Sequence, residues 1–502
     1  MADAGQLHDG GDFGLLSPAW AGTQVAALTG DQAFLQAMLD VELAWVRIQA
    51  RVGLVPAALV EMVARAALAG NYDAASLAER AQQGGNPLIP LLADLRAAVA
   101  GESPEAAAAI HRGATSQDIV DTALLLMSQR AIAVIETDLR NAARALARMA
   151  SEHRRTLMAA RTLTQHSLPS TFGLKAAQWL AAVGESGEKL DDVTAALPLQ
   201  WGGAAGTMAA LTALADQRTA PADSCAAPAD AQAAPADTRA ALADKQERVD
   251  GGPLTWTSAL AAELGLADPL APWQTNRLPV TALGHALSDV LAAAGKIAND
   301  VLLLSRPEIA EVSEPLSASR GVSSAMPQKQ NPVLSVLIRS AALAAPGHLA
   351  QLQAAAGAAI DERPDGSWHV EWQALRQLLR LAGGAAAKLA ELADGLRIHT
   401  AALGTNLLLG GELLLSERIM LQVAPLLDDG TAGAGRKRIQ AMVSSALADG
   451  APALIDLLRD AVPRDVLSDQ DLAALLDPSG YLGQNDTLID RIDRRYSKWA
   501  QA

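Results

Sequence analysis

Hydrophobic residues recur at helical spacing in the stretch that follows Asp118, and this pattern most constrains the fold. In an α-helix, residues three or four positions apart lie on one face, so such side chains form a single apolar stripe. A second stretch with the same spacing ends at Ser305-Arg306-Pro307, because proline stops a helix. The first stripe is Leu124, Met127, Ala131, Val134 and Ile135, and the second is Leu291, Ile297, Val301 and Leu304.

The composition indicates cores built from small aliphatic side chains. Half of the 502 residues are hydrophobic but only 3% are aromatic, so Ala, Leu and Val must fill the interior. Ala and Leu are strong helix formers, and strand-like alternation is scarce. We therefore predict an all-α protein with helical domains. These are an N-terminal domain over 1–110, a central bundle of long helices over 111–365 and a C-terminal domain over 366–502.

The segment 216–250 departs from the helical pattern. The tetrapeptide Ala-Pro-Ala-Asp begins at positions 220, 227 and 234, which is a repeat of seven residues. A heptad coiled coil is excluded because every copy contains a helix-breaking proline. We predict a flexible insertion between two helices, with a partner-binding motif as the alternative. Cys225 lies inside it, so we assign that thiol no catalytic role.

Charge and cysteine content exclude several classes of protein. The formal net charge is −15 and the isoelectric point is near 5.0, the opposite of a typical nucleic-acid binder. A single cysteine excludes an internal disulfide framework and suits a reducing cytoplasm. The first ten residues lack the basic and apolar runs of a signal peptide. The charge-free stretch 340–360 is Ala-rich and contains Pro346 and His348, so we predict no membrane span.

The stretch Gly321–Pro332 places two hydroxyls, a cation and carboxamides between helical segments. Its polar groups are too dense for a core and indicate a loop that binds an anionic ligand. The sequence Gly-Val-Ser-Ser-Ala-Met-Pro-Gln-Lys-Gln-Asn-Pro resembles the signature loop of the fumarase/aspartase superfamily, except that Val322 replaces a usual glycine. The resemblance implies that Ser323 transfers the proton, with Ser324 in reserve, and that Lys329 and Asn331 stabilise a carbanion.

A second motif runs from His111 to Thr122. Thr115 and Asp118 fit a capping box at the start of a helix, and a helix N-terminus with adjacent hydroxyls binds anions. The motif resembles the superfamily region in which a Thr-Ser pair holds a substrate carboxylate. The resemblance gives that role to Thr115 and Ser116, and a substrate-binding role to His111.

A third motif, Arg161–Lys175, bears on the reaction class. Many lyases of the superfamily have Thr-His where this chain has Thr162-Leu163, and that histidine helps to protonate the leaving group. Leu163 cannot transfer a proton, so a leaving group that needs no acid, such as a carboxylate with a pKa near 4, fits better. The carboxymuconate cycloisomerases share this loss, and the resemblance places Gln165 and His166 at the substrate, His166 as a catalytic residue and Gln165 as a binding residue.

Three further segments resemble the carboxymuconate cycloisomerases. A glycine-rich turn in the segment Leu197–Thr207, which includes Gln200, allows either close approach to a substrate or tight helix packing, and sequence alone favours neither. Pro272–Arg277 resembles a segment whose arginine meets a substrate carboxylate, which gives Arg277 that role. Asp361–Trp372 matches a stretch typical of these enzymes.

The resemblance implies three helical domains in a cytoplasmic homotetramer, with active sites shared between subunits and no cofactor or metal. It also implies the conversion of a small anionic tricarboxylate, 3-carboxy-cis,cis-muconate, to 4-carboxymuconolactone in protocatechuate degradation by the β-ketoadipate pathway. Two alternatives remain: a lyase that releases fumarate, similar to adenylosuccinate lyase, and a catalytically silent scaffold. No nucleotide fingerprint or metal-ligand spacing was found.

Overall fold

The computed structural model describes residues 13–219, 249–315, 321, 326, 329–447 and 453–502. Helices account for most of this part of the chain, and the strands are few and short. The predicted all-α fold is confirmed. The first eight helices are α1 Gln24–Leu28, α2 Asp31–Arg51, α3 Ala58–Ala66, α4 Ala74–Gly84, α5 Leu88–Ala100, α6 Pro104–Ala109, α7 Ser116–Glu152 and α8 Phe172–Ala195.

The helix boundaries follow ordinary capping chemistry. At α4, the Asp73 carboxylate accepts hydrogen bonds from the backbone of Ala75 and Ser76, and left-handed Gly85 ends the helix. The middle of the chain contains the next long helices. These elements are α9 Ala209–Thr219, α10 Pro253–Leu264, α11 Leu278–Leu304, α12 Val333–Gly357 and α13 Gly366–Gly395.

The last part of the chain is built from shorter helices around their own core. Leu415, Ile419, Ile439 and Leu458 are fully buried there. Its helices are α14 Thr400–Leu409, α15 Ser416–Gln422, α16 Ala434–Ala446, α17 Leu454–Ala461, α18 Asp469–Leu475 and α19 Asn485–Gln501. Short 3-10 helices occupy Ala69–Asn71, Gly411–Leu415, Ala424–Leu427 and Pro478–Gly480.

Two small antiparallel sheets interrupt the helices. Strands β1 (Leu157–Thr162) and β2 (Gln165–Thr171) form a hairpin with a bulge between Ala159 and Arg161. Strands β3 (Val312–Ser313) and β4 (Arg397–Ile398) form a two-residue ladder. The sequence pattern did not predict the hairpin, which places Gln165 at the start of its second strand.

The described chain divides into two compact units, and five helices, α7, α8, α11, α12 and α13, contribute residues to both. The core of the first unit includes a contact between Trp45 and Trp201, whose ring centroids are 5.1 Å apart. The first unit combines Met1–Thr137, Glu188–Leu291 and Ala341–Ala385, and the second combines Asp138–Gly187, Ala292–Ser340 and Ala386–Ala502. The domain boundaries near residues 110 and 365 stay a prediction.

Helix α12 is the one described helix that is long and apolar enough to cross a membrane. Only 28% of its most apolar window is buried. Val336 and Leu343 are exposed on it, and so are Arg339, Gln351 and Gln353.

The predicted insertion lies largely outside the described residues. Helix α9 continues to Thr219, three residues past the predicted start at 216, and the description resumes at 249. Cys225 falls between these points, so its predicted lack of a role stays a prediction.

Candidate active site

The start of α7 forms the predicted anion-binding motif. Thr115 immediately precedes the helix, and its backbone N–H donates to Asp118 Oδ2 at 2.9 Å, which is one half of the capping box. The other half differs, because the Thr115 hydroxyl accepts a hydrogen bond from the Arg363 guanidinium. Ser116 is the first residue of α7. A hydroxyl, a guanidinium and a helix N-terminus therefore lie together, which is a chemically reasonable place for a carboxylate.

Asp118 joins this motif to the glycine-rich turn. Its buried carboxylate accepts hydrogen bonds from Gln200 Nε2 at 3.1 Å, Gly202 N at 2.8 Å and Gly203 N at 3.0 Å. Burial raises the pKa of Asp118 to about 6, and the hydrogen bonds that it accepts oppose the rise. Asp118 therefore fixes the position of the turn against the beginning of α7. Sequence reasoning assigned it to the cap alone.

The glycine-rich turn packs against the segment around Trp273 and needs glycine for that contact. A Cβ at Gly202 would lie 2.7 Å from Pro272, and one at Gly206 would lie 2.8 Å from the Gln274 side chain. Gln200 is fully buried, and its Oε1 accepts a hydrogen bond from the Trp273 backbone at 2.8 Å. These contacts favour the packing explanation of the turn. The substrate-binding role of Gln200 stays a prediction.

Arg277 is buried and paired inside the first unit. Its guanidinium donates to both oxygens of Asp121, at 2.7 and 3.0 Å. It also donates to Glu371: Nε lies 3.1 and 3.0 Å from the two carboxylate oxygens, and Nη2 lies 2.7 Å from Oε2. Asp121 also accepts from Trp368 Nε1 and from Gln117. Internal carboxylates thus occupy the place that the resemblance gave to a substrate. In this arrangement Arg277 neutralises two buried carboxylates of the protein itself. Direct contact with a substrate would require Arg277 to release one of them.

His111 lies close to Thr115 in the chain and contacts helix α2. Its Nδ1 is 2.7 Å from Glu42 Oε1, and its side chain is 13% exposed. The residue has a left-handed backbone, with φ at 61°. The first unit therefore contains five predicted site residues: His111, Thr115, Ser116, Gln200 and Arg277.

The hairpin in the second unit presents Gln165 and His166 near its tip. Gln165 is exposed and His166 is half-buried. The turn consists of Leu163 and Thr164, both with positive φ, at 49° and 68°. Leu163 is 95% exposed, so it has no packing role within the described chain.

Two basic residues, one in the hairpin and one in the helix that follows it, were not singled out from the sequence. Arg161 forms a bidentate ion pair with the buried Glu311, at 2.9 and 2.6 Å. Burial lowers the pKa of Lys175, and the charge of Asp300 opposes that effect. No sequence signal marked either residue, because their partners lie more than a hundred positions away.

Residues from the end of the signature loop line a cavity of about 340 Å³ in the second unit. Asn331 donates from its backbone and its side chain to Gly321 O, at 2.9 and 3.2 Å. Lys329 is exposed. Behind them, the buried Glu314 carboxylate accepts from Leu334 N at 3.0 Å and from Ser335 N at 2.7 Å, which caps the start of α12. The cavity is lined by Ser305, Ser313, Glu314, Pro315, Gln330, Asn331, Pro332 and Arg397.

Ser323, Ser324 and Val322 lie outside the described residues, so their roles stay predictions. The second unit therefore contributes Gln165, His166, Lys329 and Asn331 to the predicted set. Among the described residues, no group of three or more His, Cys, Asp or Glu side chains could hold a metal ion.

Comparison with known proteins identifies the family. A family model described as lyase matches residues 23–240 and 258–347, which is more than half of the chain. This chain belongs to the lyase family of the fumarase/aspartase superfamily. A nitrosuccinate lyase from Streptomyces davaonensis is 43% identical over 485 residues, or 96% of this chain and 94% of the relative.

Two further relatives of this lyase-family chain bear the name of another reaction. A 3-carboxy-cis,cis-muconate cycloisomerase from Bradyrhizobium diazoefficiens is 36% identical, over 95% of this chain and 97% of the relative. The crystal structure of a 3-carboxy-cis,cis-muconate lactonizing enzyme from Pseudomonas putida superposes with a TM-score of 0.80 at 32% identity. That superposition covers 95% of this chain and 97% of the other.

Proposed function

We propose that this protein is a lyase that eliminates nitrite from nitrosuccinate and releases fumarate. The observation that supports the proposal is Leu163 at the exposed hairpin tip, where many lyases of the superfamily have an acid-donating histidine. A leaving group that departs as a weak base needs no such acid. We take the proposed substrate from the name of the relative of 43% identity, which is a nitrosuccinate lyase.

Leu163 restricts the leaving group without selecting one. Nitrous acid is about as strong an acid as a carboxylic acid, whose pKa is near 4, so nitrite and carboxylate both leave unprotonated at neutral pH. An amine or hydroxide is a much stronger base and leaves poorly without a proton. Leucine at position 163 therefore disfavours fumarate-releasing lyases whose leaving group is an amine or hydroxide, but it does not disfavour a lyase whose leaving group is nitrite.

The proposed elimination proceeds through a carbanion. A base removes a proton from the methylene carbon of nitrosuccinate, and the adjacent carboxylate takes up the negative charge. The electron pair then forms the double bond of fumarate while the C–N bond breaks and nitrite departs with its bonding pair. Ser323 is the proposed base, Ser324 its alternative, and Lys329 and Asn331 stabilise the enolate-like intermediate.

The start of α7 and the hairpin are the proposed substrate-binding elements. Thr115 and Ser116 offer hydroxyls and a helix N-terminus to one carboxylate, and Arg363 adds a positive charge beside them. His111, Gln165 and His166 bind the remaining oxygens of the substrate. These donors suit a small dianion and give no advantage to an uncharged substrate.

The second candidate function is the interconversion of 3-carboxy-cis,cis-muconate and 4-carboxymuconolactone. Its specific support is the segment Asp361–Trp372, which resembles the cycloisomerases and contacts the anion-binding motif. Arg363 donates to Thr115, and Trp368 Nε1 donates to Asp121 at 2.8 Å. The relatives at 36% and 32% identity add to this support. We rank it second because the nitrosuccinate lyase is more similar in sequence.

We also propose a cytoplasmic homotetramer with active sites shared between subunits. The exposed apolar side chains of α12, such as Leu343 at 72%, suit burial against α12 of other copies. Residues from both units of the chain are in the predicted set, and sharing between copies would allow distant motifs to act together. Sedimentation would give four times the chain mass of 51.9 kDa.

The deciding experiment supplies nitrosuccinate and 3-carboxy-cis,cis-muconate separately to the purified protein and measures fumarate, nitrite and lactone. Equal amounts of fumarate and nitrite are expected. Lactone formation without nitrite would make the protein a cycloisomerase, and an intact oligomer inactive on both would make it a scaffold. Lys329→Ala should reduce turnover by about a hundredfold or more. The exposed Lys437 provides a matched control, because Lys437→Ala removes a lysine far along the chain from every proposed site residue.

A further inference from the structure

One face of helix α2 holds the segment that leads to the anion-binding motif. Glu42, Trp45 and Gln49 lie three and four positions apart, so they share that face. Trp45 Nε1 donates to Arg112 O, and Gln49 Nε2 donates to Ala109 O, both at 2.8 Å. These two bonds fix the backbone on both sides of His111.

Glu42 makes the third attachment and uses both carboxylate oxygens. Oε2 accepts from the backbone N–H of His111 at 2.9 Å, and Oε1 lies 2.7 Å from His111 Nδ1. The Glu42 side chain is fully buried. Two contacts from one carboxylate to the backbone and ring of the same residue leave the imidazole a single orientation. In that orientation Nε2 is the nitrogen that remains for a ligand.

The backbone of His111 is strained, with φ at 61°. A left-handed conformation costs a non-glycine residue free energy and persists only where neighbouring groups enforce it. Here the enforcing groups are the three α2 side chains. Such strain is frequent at ligand-binding positions, because it places a side chain where an unstrained loop would not.

We infer that Glu42 is a positioning residue for His111: it holds Nδ1 so that a proton on Nε2 points at an oxygen of the anionic substrate. This inference rests on the proposed function. A carboxylate oxygen only accepts, so Nδ1 carries a proton whenever it bonds to Glu42. When Nε2 also donates, the ring is an imidazolium. His111 would then meet the dianion as a full positive charge.

Glu42→Gln tests this role with little change of shape. The amide oxygen can still accept from the His111 backbone, but the amide nitrogen now donates to Nδ1, which moves the ring proton to Nε2 and disfavours the imidazolium. We expect KM for nitrosuccinate to rise about tenfold with a smaller change in kcat, because a charged hydrogen bond becomes a neutral one. His111→Gln should raise KM by a similar factor.

The double variant separates positioning from a general structural effect. If Glu42 acts through His111, Glu42→Gln should add less than about twofold to KM in the His111→Gln background. A full tenfold increase there would overturn the inference. Gln36→Ala is the matched control, because it deletes hydrogen bonds from the same helix to Ala67 and Ala69, a segment that contains no predicted site residue. It should lower Tm and leave KM within about twofold.

A second measurement is independent of the reaction. Nitrogen-15 labelling of the eight histidines, with His111 assigned through His111→Gln, reports which ring nitrogen carries the proton. We expect the Nδ1 resonance of His111 to change from protonated to unprotonated in Glu42→Gln. An unchanged resonance would overturn the inference whichever substrate the enzyme uses. A changed resonance in a protein inactive on nitrosuccinate would refute the proposed function and leave the positioning intact.

Discussion

Arg277 and Asp121 form a buried ion pair in which two guanidinium nitrogens donate to the two oxygens of one carboxylate, at 2.7 and 3.0 Å. Glu371 accepts from the adjacent edge of the same guanidinium, through Nε and Nη2. Both acids and the arginine are withdrawn from solvent. One cation therefore stabilises two buried carboxylates, and the three residues depend on one another.

Removing the cation should be costly. Arg277→Ala leaves two buried carboxylates without a counter-charge, so we expect a loss of about 3–5 kcal/mol in the free energy of unfolding, measured by urea denaturation at fixed protein concentration. The exposed pair of Arg65 and Glu102 is the control, and Arg65→Ala should cost about 1 kcal/mol or less. If Arg277→Ala were instead stable and had a raised KM, the result would indicate that Arg277 binds the substrate.

Asp118 should make stability fall with rising pH. Its folded pKa of about 6 exceeds the ordinary value, so between roughly pH 4 and pH 6 the folded state holds a proton that the unfolded chain has released. Stability from this group is therefore present at low pH and lost as the pH passes 6. Asp118→Asn lacks this titration, so its stability relative to the wild type should improve by roughly 2 kcal/mol from pH 4 to pH 7.

An acid with the opposite shift provides the control for that experiment. Hydrogen bonds from Ser479 lower the pKa of the exposed Asp477, so its contribution is lost as the pH falls. Asp477→Asn should therefore change with pH in the opposite direction to Asp118→Asn. Denaturation curves at pH 3, pH 4 and pH 7 would measure both, because the contribution of Asp477 changes mainly below about pH 4. Equal pH dependence of the wild type and Asp118→Asn would contradict the raised pKa.

The hairpin turn should tolerate glycine better than its own residues. Thr164 has φ at 68°, a conformation that a β-branched residue adopts only at a cost of about 1 kcal/mol or more. We expect Thr164→Gly to raise Tm. Thr162→Gly, in the extended strand β1, should lower it, since glycine there adds only unfolded-state entropy. A lower Tm for Thr164→Gly would show that the threonine side chain stabilises the turn.

Glu314 should support the signature loop through the helix that follows it. Glu314→Ala leaves the buried N–H groups of Leu334 and Ser335 without a partner, so we expect a loss of about 2–3 kcal/mol in unfolding free energy. Turnover should fall as well, because Lys329 and Asn331 lie just before this helix. Ser335→Ala removes only the hydroxyl contact and should cost about 1 kcal/mol. Undiminished turnover in Glu314→Ala would show that the function of the signature loop does not depend on this helix cap.

The helical part of the fold follows from local sequence, and the hairpin does not. The apolar stripe from Leu124 to Ile135 lies on α7, and the proline at 307 follows the end of α11 as predicted. The hairpin was not predicted because its turn, Leu163-Thr164, lacks the Asn-Gly or Asp-Gly signal of a tight turn. Pro169 in its second strand also argues against a strand.

The site was predictable where the chemistry is local to one motif. Thr115 and Asp118 interact across three positions, and that spacing alone predicts the contact. Arg277 shows the opposite case, since its acid partners lie 156 and 94 positions away. A sequence shows that an arginine is present and cannot show whether a substrate or a buried aspartate neutralises it. Glu42 was missed for the same reason, 69 positions from His111.

The exposure of Leu163 has an evolutionary consequence. Leu163 is 95% exposed at the hairpin tip and packs against no core in the described chain, so exchanging it for another residue that is not β-branched should cost this chain little folding free energy. The choice between leaving groups that need an acid and those that do not would then depend on a position under little structural selection. New eliminations could arise on this scaffold by single substitutions at the hairpin tip, while the buried ionic network around Arg277 keeps the fold unchanged.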